Sequence, residues 1–404
     1  MPRNKYIGLS LFSGALGLDL GLERAGIDVV VSQDYDPWCV RTIEANGRKV
    51  IGGDIRDITG EDLCERAGVR KEDVFLISGG PPCQPFSTAG ARGSLNDPRG
   101  SLFMEFKRII REVRPRFFVM ENVKGLMSAP VRHIPHTERN GHPRVGDEEA
   151  GSAFQIVRNE LLSLGYTLKH SVVDAVHYGV PQFRERLIIL GSRDGEDLFI
   201  PIPTHFQKHQ SPNHRWQTLR QAIANIESDP GSGARFSPAR QRLLELVPEG
   251  GNWKSLPEEI IMGAMGGAYE SAGGKVGFYR RLSYDQPSPT LVTSPVQKST
   301  MLTHPTGAPP RPLSVREYAR IQQFPDDWKF AGDINNCYRQ IGNAVPVGLG
   351  RAIGMTLMSI AQGDSTIHAK RTRGTSVHNL GTLLDMASID LFENNAIEII
   401  DQLL

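Results

Sequence analysis

One cysteine in this sequence sits in a setting that ordinary core cysteines do not share. It lies in Gly79-Gly-Pro-Pro-Cys-Gln-Pro-Phe-Ser87, where two prolines restrict the backbone and would deliver Cys83 at the end of an apolar run. A thiol near its ordinary pKa of about 8.5 is only a few per cent thiolate at neutral pH, yet sulfur remains a good nucleophile. Cys39, Cys64 and Cys337 read instead as inert core residues. The following Ser87-Thr-Ala-Gly-Ala-Arg-Gly93 is a small-residue strip that could close over a substrate. A second run, Phe117-Phe-Val-Met120, ends in Glu121-Asn-Val123; were the two runs neighbouring strands, its carboxyl would stand beside Cys83. Partial desolvation there would raise its pKa and let it donate a proton, the blander alternative being a helix cap. Gln182-Phe-Arg-Glu-Arg186 opens a third run and could point Arg184 and Arg186 at the same edge.

A different constellation suits a nucleotide-like ligand. The run Tyr6–Leu11 enters Phe12-Ser-Gly-Ala-Leu-Gly-Leu18, a glycine-bearing turn before a helix. It lacks the full Gly-x-Gly-x-x-Gly spacing, and alone it is merely a tight strand-to-helix turn. Asp34 follows roughly 20 residues on, where a carboxylate can hydrogen-bond a ribose. Tyr35 beside it could stack on a base, and Asp54 in Gly52-Gly-Asp-Ile55 suits an adenine amino group. These features fit an adenosine-containing cofactor, and no P-loop is present.

The elements that must hold these residues are legible as an α/β unit with a mainly parallel sheet. Strands are predicted at Tyr6–Leu11, Val29–Gln33, Val74–Ser78, Phe117–Met120, Thr167–Val173 and Leu187–Leu190. Helices are predicted at Gly17–Arg24, Pro37–Ala45, Leu102–Val113, Ala153–Leu164, Ser314–Gln323 and Val347–Ile360. Ligands in such sheets sit beyond the carboxyl ends of the strands, which is where the residues above fall. Ser128–Gly151 reads as a long polar loop; its His133, His136 and His142 lack the carboxylate pattern of a metal site, so no metal is expected. The α/β rhythm stops after Ile200. Four units follow: a catalytic, cofactor-binding domain over 1–200, a second, smaller domain over 201–302, a part over 303–362 that returns to the first domain, and a linker with an acidic tail over 363–404. The tail segment Thr382–Leu404 carries five acidic residues and no Lys or Arg, with an apolar set compatible with an amphipathic helix.

The 404 residues hold 46 Lys+Arg against 45 Asp+Glu and four cysteines with no Cys-x-x-Cys pair. With 42 glycines, 27 prolines and those four cysteines, collagenous, largely disordered and disulfide-stapled classes are excluded. A nucleic-acid partner would have to be held by clustered cations, because the total charge exerts no long-range attraction. No apolar run of membrane-spanning length and no signal core is read, so a reducing cytoplasm and no membrane are expected.

The motifs together resemble the cytosine-5 DNA methyltransferases of bacterial restriction-modification type. The likeness covers most of residues 6–360 and rests on six motifs in the family's order: Phe12-Ser-Gly-Ala-Leu-Gly, Gly80-Pro-Pro-Cys-Gln-Pro-Phe-Ser, Glu121-Asn-Val, Gln182-x-Arg-x-Arg186, Arg281-Leu-Ser-x-Asp-x-Pro-Ser-Pro-Thr290 and Gln340-Ile-Gly-Asn-Ala-Val-Pro346. It implies a Rossmann-like methyltransferase domain with a smaller target-recognition domain over 201–302. It also implies S-adenosylmethionine as methyl donor, with S-adenosylhomocysteine as product. The cofactor site would comprise Phe12, Ser13, Gly14, Gly17, Asp34, Tyr35, Asp54, Ile55, Leu102 and Asn343; Asn343 requires the C-terminal helix to pack back beside the first strand.

The catalytic set implied is Cys83, Glu121, Arg184 and Arg186. Cys83 would add to carbon 6 of a flipped cytosine and Glu121 would contact ring nitrogen 3 and the exocyclic amine; Arg184 would hold the base oxygen and Arg186 would support the assembly. The strip 84–100 would close on the base, with Arg92 and Arg99 at phosphate. Arg215, Arg220, Arg235, Arg240, Arg242 and Lys254 are candidates for phosphate or guanine contacts. Double-stranded DNA is the expected partner, a cognate restriction endonuclease a possible second, and a bacterial cytoplasm with nucleoid association the expected location. The alternatives are a transfer-RNA cytosine methyltransferase and a catalytically silent DNA-binding relative; a zinc deaminase fails for want of Pro-Cys-x-x-Cys.

Overall fold

A computed structural model describes residues 6–82, 101–131, 146–208, 210–271 and 275–363. Cys83, the strip after it, the three histidines of the polar loop and the acidic tail lie outside the described residues.

Seven strands form one sheet: β1 (Ile7–Leu11), β2 (Asp28–Asp34), β3 (Val50–Gly52), β4 (Val74–Gly79), β5 (Phe117–Val123), β6 (Thr167–Asp174) and β7 (Glu185–Ser192), in the order β3-β2-β1-β4-β5-β7-β6. β1 and β4 are buried at every position, as expected of central strands covered on both faces, which is why they read as apolar runs without alternation. The first five strands pair in parallel; β7 runs antiparallel to β5 and β6. β3, only three residues long, is a strand that sequence periodicity does not reveal. The chain order reverses direction between β1 and β4, and such a reversal leaves a crevice beyond the carboxyl ends of the two strands.

The helices are α1 (Gly17–Arg24), α2 (Pro37–Ala45), α3 (Gly60–Ala67), α4 (Ser101–Val113), α5 (Ser152–Leu162), α6 (Leu219–Ile223), α7 (Pro238–Glu245), α8 (Glu258–Met265), α9 (Val315–Ile321), α10 (Ile334–Asn343) and α11 (Val347–Gln362). Asp36 caps α2 through the Trp38 N–H, with Pro37 at the first helical position, and Gly68 in the left-handed region ends α3. α3, α4 and α5 cover one face of the sheet through Leu63, Phe106, Ile109, Phe154 and Val157. On the other face α1 and α11 pack with Leu22, Leu349, Ile353 and Leu357 in the same core.

α1 and α11 approach closely because glycines line the contact. A Cβ on Gly21 would stand 2.3 Å from the Val347 carbonyl oxygen, and one on Gly350 would stand 2.6 Å from that of Leu18. The expected return of the C-terminal helix to the first strand therefore takes the form of a glycine-mediated seam. The stretch Ile334–Gln362 passes for a membrane span by length and hydropathy alone, but α10 and α11 divide it at Pro346 and 56% of its most apolar window is buried in the protein.

The region after Ile200 contains short helices and isolated bridges. Phe236, Leu244, Val247, Leu256, Met265, Tyr279 and Met301 form a small core of their own. Leu219, Ile223, Leu282, Leu291 and Leu302 instead join a core shared with α9, α10 and the start of α1.

Candidate functional site

Strand register assembles the site. Leu11 pairs with Gln33 on one side and Gly79 on the other, Gly79 pairs with Met120, and Asp34 pairs with Gly52. The residues that follow in each strand therefore emerge along one edge: Phe12, Asp34, Gly53 with Asp54, Gly80 and Glu121. This edge contains the crevice between β1 and β4.

On the β1 side the backbone turns through positive φ at Phe12 (53°), Gly14 (56°) and Leu16 (69°). Bonds to the neighbouring strand hold this conformation, which costs energy in non-glycine residues. The Ser13 N–H donates to the Gln33 carbonyl at 3.0 Å, and the Gly14 N–H donates to the Asp34 carboxylate at 2.7 Å. Asp34 also accepts from the Asp36 N–H at 2.8 Å; burial pushes its carboxyl above the usual range against the pull of these backbone donors. Gln33 ties its side-chain amide to the Gly53 carbonyl at 2.8 Å, joining the turns after β2 and β3. A Cβ on Gly14 or Gly53 would meet nothing within 4 Å, so open space lies before both.

The Leu16 side chain makes no cap to α1, which leaves the first N–H groups of the helix without a side-chain cap. Asp54 caps the 3-10 turn Ile55–Asp57, and the Arg56 N–H holds its carboxyl below the usual range. Tyr35 is 72% exposed and Ile55 is buried; Phe12 and Leu102 are partly buried against the core. Asn343 ends α10 on an exposed position, and the two residues after it touch the point where Gly17 begins α1. Apolar walls, two carboxylates and an unsatisfied helix N-terminus around open space fit a ligand with a ribose, a base and a polar tail.

Behind the turn lies a buried polar chain that sequence reading missed. Ser13 Oγ donates to Ser10 Oγ (2.8 Å), which donates to Asp19 (2.8 Å); Ser32 Oγ donates to the other Asp19 oxygen at 3.3 Å. Asp19 is 2% exposed, and burial pushes its carboxyl up to about 7. Its place on α1, four residues before Glu23, gave no sign of an inward role.

On the β4 side Gly79 is required by contact: a Cβ would stand 2.7 Å from the Leu11 carbonyl and 2.9 Å from the Phe106 ring. Gly80 faces Glu121, whose carboxylate would lie 3.0 Å from a Cβ there. The neighbouring-strand condition on Glu121 is thus met as far as Pro82, the residue before Cys83. Asn122, whose partner the motif Glu121-Asn-Val does not reveal, donates to the Pro81 carbonyl at 3.0 Å and so pins the approach to Cys83 onto β5.

Glu121 pairs with Arg186 at 2.6 Å, an ion pair whose alignment is not that of a hydrogen bond; both side chains are about one-eighth exposed (13% and 12%). Glu121 stands opposite Ile188, so Arg186 is its diagonal neighbour on the same face of the antiparallel pair. The reversal of β7 is what brings the start of that strand to the carboxyl edge of the others.

Arg184 differs. It is 1% exposed; its guanidinium donates to the Leu291 carbonyl at 3.0 Å and to the Gly342 carbonyl at 2.7 Å. Burial, with Arg186 beside it, pulls its pKa well below that of a free guanidinium. Gln182 accepts from the Leu291 N–H and donates to Gln322, which donates to the Ile341 and Ala344 carbonyls. This spine locks the entry to β7, the segment 288–291 and the end of α10 together.

Of the second-region cations, Arg220 is paired with Asp285 at 2.9 Å and lies over Tyr284, and Arg240 donates to the Val296 carbonyl. Lys254 lies over Trp253, Arg235 and Arg242 are exposed, and Arg215 donates its backbone N–H to Pro212. Arg92 and Arg99 lie outside the described residues. Among the described residues no cluster of His, Cys, Asp and Glu could hold a metal ion.

Comparison with known proteins gives a family model, described as C-5 cytosine-specific DNA methylase, that matches residues 6–359. Type II methyltransferase M.PspPI of Psychrobacter sp. (strain TA137) is 39% identical over 365 residues, 88% of this chain and 80% of that protein. Type II methyltransferase M.Eco47II of Escherichia coli is 37% identical over 372 residues, 89% of this chain and 80% of that one. Two solved structures share the fold: a prophage-encoded E. coli protein described as a DNA modification methyltransferase (TM-score 0.59, 24% identity, 88% of this chain and 99% of that one) and a DNMT2 variant of Spodoptera frugiperda (TM-score 0.52, 18% identity, 87% and 99%).

Proposed function

The chain belongs to the C-5 cytosine-specific DNA methylases, and from that premise we propose that it flips a cytosine out of duplex DNA, adds Cys83 to carbon 6 and methylates carbon 5. It is a DNA cytosine-5 methyltransferase, and the family's reaction depends on S-adenosylmethionine. When bound, that cofactor supplies an electrophilic methyl group on a sulfonium.

The observation that carries the catalytic reading is the placement of the Glu121–Arg186 pair against Gly80, three residues before Cys83. Thiolate addition to carbon 6 forms the carbon–sulfur bond and pushes electrons toward ring nitrogen 3. Glu121 meets that nitrogen and the exocyclic amine, so charge is relieved where it develops. Carbon 5, now nucleophilic, accepts the methyl; loss of its proton to a base or water then expels Cys83. A stacked base is out of reach of this edge, hence the flipping.

The geometry favours a reversal of the two arginine roles expected from sequence. Arg186, beside Glu121 at the crevice, is the better candidate for the base oxygen. Arg184 spends its donors on two carbonyls and supports the assembly.

For the cofactor, Asp34 would accept from the ribose, Tyr35 would stack on adenine and Asp54 would meet its amino group. Phe12, Ile55 and Leu102 would wall the site; the turn Ser13–Gly17 and Asn343 would face the polar tail. Segment 201–302 would read the DNA. Because its relatives are named Type II methyltransferases, methylation would protect a site from a cognate restriction endonuclease, in a bacterial cytoplasm at the nucleoid.

The test is transfer of labelled methyl from S-adenosylmethionine to mixed-sequence duplex DNA and to transfer RNA, with Cys83→Ala alongside. Label recovered as 5-methylcytosine in DNA, and absent with the variant, is the expected result. Label in transfer RNA alone, or in DNA with the variant, overturns it.

A further inference from the structure

α11 has a second face besides its seam with α1. Gly348, Arg351, Ala352, Met355 and Ser359, spaced by three and four, line a cavity of about 860 Å³. Phe199, Ile202 and Phe324 also line it. None of the residues of the carboxyl-edge site borders it.

The charge of this groove is one-sided. Its described lining holds three arginines, Arg24, Arg320 and Arg351, against one carboxylate, Asp326, which Arg320 already binds through two nitrogens (2.6 and 2.5 Å). Arg24 and Arg351 are exposed on facing helices and repel each other, which with burial lowers the Arg24 pKa. His205 adds no charge at neutral pH: burial, then His214 and His177, hold it down to about 4. An apolar floor under two guanidiniums calls for an occupant that is apolar on one side and acidic on the other.

The chain itself supplies one. α11, whose Ser359 lines the groove, ends at Gln362, and after 19 further residues begins Thr382–Leu404 with Asp385, Asp390, Glu393, Glu398 and Asp401, no Lys or Arg, and Ile389, Phe392, Ala396 and Ile400 recurring at helical spacing. Nineteen residues reach up to roughly 65 Å when extended, while the groove runs roughly 16 Å along α11. We propose that the groove along α11 is the docking site of Thr382–Leu404 of the same chain, which lays its apolar stripe on Met355, Phe199 and Ile202 and its acids on Arg24 and Arg351.

The test is hydrogen exchange on the full-length protein, followed for peptides from 382–404 and from 199–205. In the wild type both should exchange about ten-fold or more slowly than in the double variant Arg24→Glu/Arg351→Glu, with protection unchanged across a wide range of protein concentration. Adding Asp390→Lys/Glu393→Lys to the double variant should restore it. A photo-crosslinking side chain at Met355 should capture a 382–404 peptide within one chain. Exchange of 382–404 at the rate of an unstructured peptide in the wild type overturns the proposal. So does protection that ignores the arginine changes, or that grows with concentration and crosslinks between chains, which would assign the groove to a second copy.

Discussion

Arg184 and Arg186 lie two residues apart with the same side chain, yet burial separates their work. Replacing Arg184 by Met strands the Leu291 and Gly342 carbonyls, each a charge-assisted bond, and should cost about 3 kcal/mol or more in urea unfolding. Arg186→Ala should leave the unfolding midpoint near wild type while methyl transfer falls by about 10²-fold. Asp19 yields a pH signature. Its carboxyl titrates at about 7 in the folded protein and near 3.8 when unfolded, so the folded state retains a proton that the unfolded chain releases. Stability therefore falls as pH rises from about 4 to about 7, by a few kcal/mol in magnitude. Asp19→Asn keeps an acceptor for Ser10 and should flatten this dependence in denaturant titrations at pH 5 and pH 8; equal slopes for both proteins would refute the assignment. The motif residues were legible because their spacing is local. The partners of Gln182, Gln322 and Asn122 were not, since they lie 140, 19 to 22 and 41 positions away, and no periodicity encodes such distances.

Elements were legible where a cap or an apolar run marks them. α1 and α2 occupy the predicted limits, and β4 and β5 extend the predicted runs by one and three residues. β3 is too short for a pattern to rise above chance. α3, α6, α7, α8 and α10 escaped because they are short or rich in polar residues, and tertiary packing supplies what their patterns lack. The α1–α11 seam depends on Gly21, Gly350 and Gly354 more than on hydrophobic bulk. Gly350→Leu should drive the helices apart at a cost of about 3 kcal/mol. Loss of soluble protein, or a midpoint shift of that size in thermal melts, checks it; a variant as stable as wild type would show that the seam tolerates separation.

Across the whole molecule, the small core of Phe236–Met301 is distinct from the cores that hold the sheet. Exchanging 236–279, which carries most of that small core and stops short of the 282–302 stretch in the shared core, for its counterpart from a relative should therefore leave cofactor affinity within about two-fold while moving 5-methylcytosine to another sequence context, as separate cores act nearly independently. Bisulfite sequencing of methylated DNA reads the outcome; an unchanged context would place base reading elsewhere. The packing of 219–226 and 282–302 into the shared core was not legible beyond residue 200, because it is made by contacts and not by pattern. The other end of the sheet has its own closure. Tyr6 stacks edge-on to Phe75, the Arg116 N–H donates to the Val74 carbonyl, and the Arg116 guanidinium donates to Ala361 in the last turn of α11. The beginning of β1 and the finish of α11 thus meet at one rim, so that residues 6–363 nearly close into a ring. Linear order is then a matter of where the ring is opened: a gene rearranged to start within 201–218, with the present ends joined, would encode the same interlocked core while presenting its motifs in rotated order. Homologues of that kind would be recognised by shape and missed by any scan that demands the motifs in sequence.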